Sequence, residues 1–270
     1  MQHFKGSIIH KSQDEDGVIE VVDDINTRSL YFGTDSKQSS MSLVDPDRLE
    51  LSYARAMMSC LLFADEPRSI LLVGLGGGSL AKFLLKVFPF CRLDVVEIRE
   101  SVANIAFAYF GLPKDPRLEL HMADGNQFLQ QLAHKKLAGE GGLNYDLVLL
   151  DAFDHAGMAT TLSGLAFFDA CRYVLNPTGV LAINLWGSSS DVTEEALDYL
   201  NHCFDDKVLT LPVPKRGNII GLALGRDVPT TNYKRLRKKA AQLEQRMGIE
   251  FTAFWRDLKR IHSKFRWFKF

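Results

Sequence analysis

Short runs of apolar residues alternate with stretches of helical periodicity between residues 69 and 225. The apolar runs lack the polar alternation of a half-exposed strand, which is typical of strands covered on both faces. The pattern therefore predicts an α/β fold with a mostly parallel sheet between layers of helices. The predicted strands are 70–73, 93–98, 118–122, 146–150, 180–185, 207–213 and 219–224, and the clearest helices are 80–87 and 101–109.

The last two predicted strands are joined by a short turn that contains Pro214 and Gly217. Because a parallel connection needs about a dozen residues or more, these two strands are expected to form an antiparallel hairpin. A mostly parallel sheet that ends in such a hairpin resembles the Rossmann-like fold of S-adenosylmethionine-dependent methyltransferases, which has seven strands. This is the fold that we expect.

Both ends of the chain carry patterns of a different kind. Near the N-terminus, β-branched runs at 7–9, 18–22 and 29–32 lie between Asp, Asn and Gly turn formers, which predicts a small antiparallel sheet. Apolar residues at helical spacing over 49–63 predict a helix leading out of it. We expect three parts: a small N-terminal β domain with its linking helix (1–60), a methyltransferase-like Rossmann domain (61–229) and a basic tail of two amphipathic helices (230–270).

The net charge is only −1, but the charges are unevenly distributed. Of the 32 Lys and Arg residues, 12 lie in the segment 230–270, which has three of the 33 acidic residues. The rest of the chain is therefore acidic, which favours a small cationic substrate over a nucleic acid. We expect the apolar faces of the tail helices to pack on the body or on a second subunit. Binding of the tail to RNA or to a membrane surface is the alternative.

Cysteine usage and apolar content narrow the class of protein further. The four cysteines have no CxxC pair and no histidine at metal-ligand spacing, so we expect reduced thiols and no metal site. The chain has no run of about 20 apolar residues, and it does not begin with the apolar stretch of a secretory signal. These features predict a cytoplasmic protein.

A glycine-rich turn follows the first strand of the main sheet. It is Gly-Leu-Gly-Gly-Gly-Ser over residues 74–79 and leads directly into a helix. Glycines at such a turn let a ligand approach the backbone, and the N–H groups at the start of the helix point at it. Because the sixth position is Ser79, the turn does not match the dinucleotide-binding fingerprint. Gly74, Gly76 and Gly78 are the predicted cofactor-binding glycines.

Carboxylates stand at the ends of the next two strands. Glu97, 23 residues after Gly74, is placed to accept hydrogen bonds from both ribose hydroxyls of a nucleoside. Asp124, in the sequence Ala-Asp-Gly after the third strand, is placed to reach an adenine amino group. Ligands of open α/β sheets bind outside the carboxyl ends of the strands. We therefore expect three successive strand ends to converge on one nucleoside.

The fourth strand is followed by two acids, Asp151 and Asp154. Such an acid can accept a proton from an amine, or hold the amine while its lone pair attacks an electrophilic carbon. His155 follows directly, but a single histidine in a loop is a weaker candidate. The two aspartates are therefore the predicted chemical centre, next to the predicted nucleoside.

The order and spacing of these motifs resemble those of the spermidine/spermine synthases, the polyamine aminopropyltransferases, and most closely their divergent spermidine synthase-like branch. The resemblance covers roughly residues 17 to 225. It implies decarboxylated S-adenosylmethionine as donor, a polyamine such as putrescine as acceptor, no metal, and a homodimer or tetramer. The motifs are Gln38-Ser39, Tyr53, Gly74 to Gly78, Val96-Glu97-Ile98, Asp115 to Leu118, Ala123-Asp124-Gly125, Tyr145-Asp146 and Asp151-x-x-Asp154.

The resemblance also implies roles for individual residues. Asp151 would be the base that deprotonates the attacking amine, Tyr53 would help to orient that amine, and Asp154 would hold the polyamine. On the donor side, the implied contacts are Glu97 with the ribose, Asp124 with the adenine and Gln38 with the nucleoside from the N-terminal domain.

The sequence departs from the family pattern around the donor. Gly77 stands where the family has an aspartate that contacts the aminopropyl ammonium of the donor, and Leu75 and Ser79 stand where it has glycines. Arg99 replaces the aspartate that usually follows Val-Glu-Ile. Without the ammonium-binding carboxylate, methyl transfer from ordinary S-adenosylmethionine to an undetermined small molecule is an alternative. A second is a weakly catalytic protein that binds nucleosides or, through its basic tail, RNA.

Overall fold

The computed structural model describes residues 6–64, 66–141, 144–154, 157–158, 164–186, 191–214, 216–229 and 233–262. The N-terminal part forms a four-stranded antiparallel sheet in chain order. Ile19, Val21 and Leu30 on its inner face are fully buried and pack against the helix over residues 100–109. The strands are β1 (Ser7–Asp14), β2 (Gly17–Asp23), β3 (Thr27–Tyr31) and β4 (Lys37–Ser42).

The apolar pattern predicted the first three of these strands but not β4, whose sequence is Lys-Gln-Ser-Ser-Met-Ser. Its serines are buried nonetheless. Ser40 lies opposite Ser29 of β3, and the two hydroxyl oxygens are 3.2 Å apart and hydrogen-bonded. Small hydroxyls that satisfy one another can be buried like apolar residues, so hydropathy alone does not reveal such a strand.

Seven strands form the second sheet, in the order β12-β13-β11-β8-β5-β6-β7, which confirms the predicted Rossmann-like fold. Strand β13 is antiparallel to both of its neighbours, and the other pairs are parallel. The strands are β5 (Ser69–Val73), β6 (Arg92–Glu97), β7 (Leu118–Met122), β8 (Tyr145–Leu150), β11 (Leu175–Trp186), β12 (Val208–Pro212) and β13 (Asn218–Leu224), and a separate short pair is β9 (Phe153–Asp154) and β10 (Gly157–Met158).

The helix predicted over 49–63 is shorter than expected. It is α-helical only over Ser52–Met57 (α1) and continues as a 3-10 turn over Met58–Leu62. Every side chain of that turn is buried, so packing rather than periodicity determines its shape. The remaining helices are α2 (Ser79–Val87), α3 (Glu100–Tyr109), α4 (Gly125–Leu137), α5 (Leu165–Val174), α6 (Asp191–Cys203), α7 (Tyr233–Met247) and α8 (Phe251–His262).

The two tail helices, α7 and α8, pack on the body of the protein. Leu236, Ala240, Phe251, Phe254 and Leu258 are buried in the same cluster as α1, α2 and one face of the large sheet. Burying a large apolar side chain contributes about 1.5–3 kcal/mol, so this face holds the tail firmly. Among the described residues, no helix combines the length and the apolar content needed to cross a lipid bilayer.

The chain order of the large sheet creates a crevice between β5 and β8. From β5 the chain moves outward to β6 and β7, and it then returns to β8 and β11 on the other side. Ligands of open α/β sheets bind at such a switch point, outside the carboxyl ends of the strands. The division of the chain at residues 60 and 230 stays a prediction.

Candidate active site

A cavity of about 620 Å³ opens at the carboxyl ends of β5, β6 and β8. Strand β4 of the small sheet and helix α1 complete its wall, so both sheets contribute to it. This volume suits a small-molecule ligand. The predicted site residues that line the cavity are Gln38, Tyr53, Gly74, Gly76, Glu97, Asp124 and Asp151.

Gly74 begins the glycine turn with a φ of +94°, which glycine adopts without strain. A β-carbon at this position would lie 2.3 Å from the backbone oxygen of Asp151. The turn is also tied to its neighbours, because the Gly74 N–H donates to the Val96 oxygen (2.8 Å). The protein's own backbone at Asp151 therefore requires a glycine at residue 74, whether or not a ligand is bound.

Gly77 and Gly78 lie next to each other at the start of α2. A β-carbon at Gly77 would lie 2.8 Å from the Ser39 hydroxyl oxygen and 2.9 Å from the Phe110 ring. The space beside residue 77 is thus already filled. Gly78 has a φ of +73° and its N–H donates to the Leu75 oxygen (2.9 Å). Gly78 is the N-cap of α2. It is not one of the residues that line the described part of the cavity wall.

Glu97 ends β6 and is 8% exposed. Its Oε2 accepts a hydrogen bond from the Leu75 N–H (3.0 Å), and its Oε1 accepts one from the Arg99 N–H (2.9 Å). Burial raises the pKa of Glu97, and these backbone hydrogen bonds act in the opposite direction because they favour the charged form. The carboxylate is held by the backbone beside the glycine turn.

Asp124 caps a helix in addition to lining the cavity. It is the N-cap of α4, and its Oδ1 accepts a hydrogen bond from the Gln127 N–H (2.9 Å). Asparagine, aspartate and serine are favoured at this position because they satisfy an otherwise free N–H. The structural and the ligand-binding interpretations of Asp124 are therefore compatible.

Asp151 follows β8 directly, and its N–H donates to the Val73 oxygen (2.8 Å). Its two carboxylate oxygens have different partners. Oδ2 accepts a hydrogen bond from the Tyr53 hydroxyl (3.2 Å), and Oδ1 accepts one from the Asn184 amide (3.0 Å). Burial raises the pKa of Asp151 to about 7, while both hydrogen bonds lower it. A carboxyl group with this pKa can gain or lose a proton near neutral pH.

Tyr53 joins the two sheets at this point. Its hydroxyl lies 3.3 Å from the Gln38 backbone oxygen as well as 3.2 Å from Asp151. Burial raises the pKa of Tyr53 well above 10, and the neighbouring Asp151 carboxylate adds to that shift. Tyr53 is therefore protonated at neutral pH and acts as a hydrogen-bond donor.

Asp154 and His155 cannot be placed with the other candidates. The backbone of Asp154 lies in the short strand β9, where it pairs with Gly157 of β10. The side chain of Asp154 and the whole of His155 lie outside the described residues. Their parts in the site stay predictions.

Sequence reasoning missed Asn184, which is buried in β11 and bonded to Asp151. A second amide follows, because the Asn218 side chain donates to Asn184 Oδ1 (2.9 Å). The available signal was a polar residue near the end of the apolar run Val180 to Leu185. A buried amide without a partner is costly, so such a residue indicates a hydrogen-bonded network.

Arg99 was noted in the sequence only as a departure from the family pattern. Its guanidinium forms a bidentate ion pair with Asp14, with Nη2–Oδ1 at 2.7 Å and Nε–Oδ2 at 3.1 Å, and lies 4.6 Å from the Phe32 ring centre. Asp14 ends β1, and the turn that follows it, Glu15 and Asp16, lines the cavity, as does Arg99 itself. Arg99 therefore anchors part of the small sheet at the same end of the cavity as Glu97.

One group of described side chains has the geometry of a metal site. Ligand atoms of Asp94, Glu119 and His121 lie within 4.8 Å of one another on β6 and β7. Asp94 already accepts hydrogen bonds from Arg92 and from the Tyr145 hydroxyl, both at 3.1 Å. The three residues are not part of the described cavity wall, so they do not enter the candidate chemistry.

Comparisons with known proteins identify the family of the chain. The spermine/spermidine synthase domain model matches residues 50–219. A polyamine aminopropyltransferase of Chromobacterium violaceum is 36% identical over 247 residues, which are 91% of each chain. The eEF1A lysine and N-terminal methyltransferase of Xenopus laevis is 31% identical, but the match covers 63% of this chain and 26% of that protein.

Among solved structures, a spermidine synthase in complex with the transition state analogue AdoDATO superposes with a TM-score of 0.70. The match covers 95% of this chain and 87% of that chain, at 16% sequence identity. A likeness at this identity establishes the shared fold.

Proposed function

Because the chain belongs to the spermine/spermidine synthase family of transferases, we propose that it transfers an aminopropyl group from decarboxylated S-adenosylmethionine to a polyamine such as putrescine. The observation that carries this proposal is the position of Asp151. Its half-buried carboxyl group, with a pKa raised to about 7, lines the same cavity as Glu97 and the glycine turn. A proton acceptor thus lies in the same cavity as the groups that we propose bind the nucleoside.

In the proposed complex, the donor lies along the carboxyl ends of β5 and β6. Glu97 accepts hydrogen bonds from the ribose hydroxyls, and the backbone at Gly74 and Gly76 borders the nucleoside. Asp124 reaches the adenine amino group, and Gln38 faces the nucleoside from β4. Gly78 contributes by starting α2, whose N-terminus points toward the cavity.

The proposed reaction is an in-line displacement. The amine nitrogen of the acceptor bonds to the propyl carbon next to sulfur, the carbon–sulfur bond breaks, and its electron pair leaves on a neutral thioether. The proton that the amine loses goes to Asp151, and the Tyr53 hydroxyl helps to orient the amine. Positioning of nitrogen and carbon at about 3–3.5 Å supplies much of the acceleration, so the mechanism needs no metal.

The charge of the cavity supports a cationic acceptor. Glu15, Asp16 and Glu50 also line it, in addition to the carboxylates already assigned. Negative groups around a cleft raise the local concentration of a multiply charged cation such as a polyamine. We propose that Asp154 holds the ammonium group of the acceptor that does not react, and that the enzyme works as a homodimer or tetramer.

One observation favours a second candidate, methyl transfer from ordinary S-adenosylmethionine. Ser39 and Phe110 lie beside Gly77 and would have to shift to admit a side chain there, and the carboxylate that the family uses for the donor ammonium is missing at this position. A glycine here also removes a group that would repel the carboxylate of intact S-adenosylmethionine. The long match to polyamine aminopropyltransferases supports aminopropyl transfer more strongly.

Calorimetric titration with both donors, followed by mass analysis of products with putrescine, tests the proposal. We expect preferential binding of the decarboxylated donor and a product heavier than putrescine by one aminopropyl group. Preferential binding of intact S-adenosylmethionine, together with a methylated product, would overturn it.

A further inference from the structure

Asn184 is a polar residue in a strand that is otherwise apolar. It lies in β11 between Ile183 and Leu185, and only 3% of its surface is exposed. Burying an amide without hydrogen bonds is unfavourable, whereas an apolar residue at this position would have no such cost. The fold accepts a polar side chain here, which points to a role for it.

The two ends of the Asn184 amide have different partners. Its Nδ2 donates to Asp151 Oδ1 at 3.0 Å, and its Oδ1 accepts from Asn218 Nδ2 at 2.9 Å. A carboxylate can only accept hydrogen bonds, so the NH₂ end of Asn184 must face Asp151. Asn218 stabilises that orientation because it binds the oxygen end. A chain of two amides therefore runs from β13 through β11 to Asp151 after β8.

Asp151 receives one hydrogen bond at each oxygen, from opposite sides. Asn184 binds Oδ1, and Tyr53 binds Oδ2. Of the described titratable side chains, Tyr53 is the one hydrogen-bonded to Asp151. The other described ionisable side chains of the cavity wall are Glu15, Asp16, Glu50, Glu97, Arg99 and Asp124. Two donors at fixed positions prevent rotation of the carboxylate and leave its other lone pairs for the cavity.

We infer that Asn184, oriented by Asn218, is a positioning residue that holds the Asp151 carboxylate in the geometry needed to accept the proton of the substrate. The inference deepens the proposed function, which it takes as its premise. Asn184 does not line the cavity in the described part of its wall, so it acts through Asp151 and not by contact with substrate.

The role has a measurable consequence. A hydrogen bond to the ionised form lowers the pKa of a carboxyl group, so loss of the Asn184 donor must raise the pKa of Asp151 above its value of about 7. A rise of about one unit would lower the ionised fraction at pH 7 from about one half to about one tenth. A purely structural residue would not change this titration.

The chain offers a matched control on the same two strands. Near the other end of β11, the Asn176 amide donates to Asp146 Oδ1 of β8 at 2.6 Å. Asn184→Leu and Asn176→Leu therefore each remove an amide that bonds an aspartate across the β8–β11 ladder. Asn218→Ala removes only the outer amide and leaves Asn184 in place. This variant therefore tests the same chain of amides if Asn184→Leu does not fold.

The experiment is a carbon NMR titration of full-length protein labelled at the aspartate carboxyl carbons. The Asp151 signal is identified by its absence in Asp151→Asn. We expect its midpoint to rise by about one unit in Asn184→Leu, by less in Asn218→Ala, and to be unchanged in Asn176→Leu. With putrescine and the decarboxylated donor, the acid limb of the kcat/KM profile should move by the same amount.

An unchanged midpoint in both Asn184→Leu and Asn218→Ala would overturn the inference, as would an equal shift in Asn176→Leu. The titration needs no turnover, so it gives its answer even if the wild-type protein transfers no aminopropyl group. That last result would count against the proposed function alone.

Discussion

Glu97 is buried and Asp151 is half-buried in the cavity wall, and the two carboxylates are held in different ways. Glu97, after β6, is bonded by backbone N–H groups of Leu75 and Arg99. Asp151, after β8, is bonded by the side chains of Tyr53 and Asn184. Only β5 separates the two strands in the sheet.

This difference in hydrogen-bond donors shows how two carboxylates at one edge of a sheet can have different chemical roles. Backbone donors are rigid and hold the Glu97 carboxylate in one position as an acceptor for a ligand, and burial raises the pKa of Glu97 against their effect. Side-chain donors at Asp151 compensate its burial only partly, so its pKa remains near 7 and it can take up a proton. Substitutions near Glu97 should therefore affect donor binding, and substitutions near Asp151 should affect proton transfer.

The largest effect is expected for Asp151→Asn. Asparagine keeps the shape but cannot accept the proton, so turnover should fall by about 100-fold or more. Donor affinity, measured by calorimetry, should change little because Glu97 is untouched. Unchanged turnover would place the base elsewhere and remove the contrast between the two acids.

The opposite pattern is expected for Glu97→Gln. A hydrogen bond to a charged group contributes about 1.5–3 kcal/mol, so donor affinity should weaken by roughly 10- to 100-fold. Turnover at saturating donor should fall far less. Glu119→Gln on the neighbouring strand β7, at a residue that does not line the described cavity, is the control. Full donor affinity in Glu97→Gln would show that Glu97 does not bind the nucleoside.

Tyr53→Phe tests whether side-chain donors set the titration of Asp151. Loss of the hydroxyl removes a bond that favours the ionised carboxylate, so the pKa of Asp151 should rise and activity should appear at higher pH than in the wild type. At pH 7 we expect roughly a three- to tenfold loss of turnover, from one ordinary hydrogen bond. The pH dependence of kcat/KM measures this shift, and an acid limb that stays in place would contradict it.

The smallest effect concerns the anchor of the small sheet at the Glu97 end. Arg99→Met removes the ion pair with Asp14, which is partly exposed, so donor affinity should fall only about two- to fivefold with turnover unchanged. Arg28→Met, which breaks a similar pair with Asp23 in the same sheet, is the matched control. Equal losses in both variants would mean that the effect is general stability and not the cavity wall.

Sequence reasoning recovered the strands of the large sheet, because continuous apolar runs mark buried strands well. It also placed Glu97, Asp124 and Asp151 at one edge, since parallel strands align their carboxyl ends. The serine-rich strand β4 escaped it, because paired hydroxyls leave no apolar signal. The end of α1 at Met57 was also missed, since a helix and a 3-10 turn have similar apolar spacing.

The partners of Asp151 could not be predicted for a different reason. Asn184 and Asn218 are 33 and 67 residues away in the chain, and only the antiparallel pairing of β11 with β13 brings the two amides together. Strand order within a sheet follows from tertiary packing, which single residues do not encode. The contact between Arg99 and Asp14, 85 residues apart, has the same origin.

The filled space beside Gly77 has a consequence for anyone who wishes to change the choice of donor. Ser39 comes from one sheet and Phe110 from the loop after α3, so a side chain at residue 77 collides with two independent segments. Installing the aspartate of the family pattern at residue 77 would force Ser39 and Phe110 to shift, so a change in donor choice would be mixed with a change in packing. Redesign would have to begin with smaller residues at 39 and 110, and add the acid last.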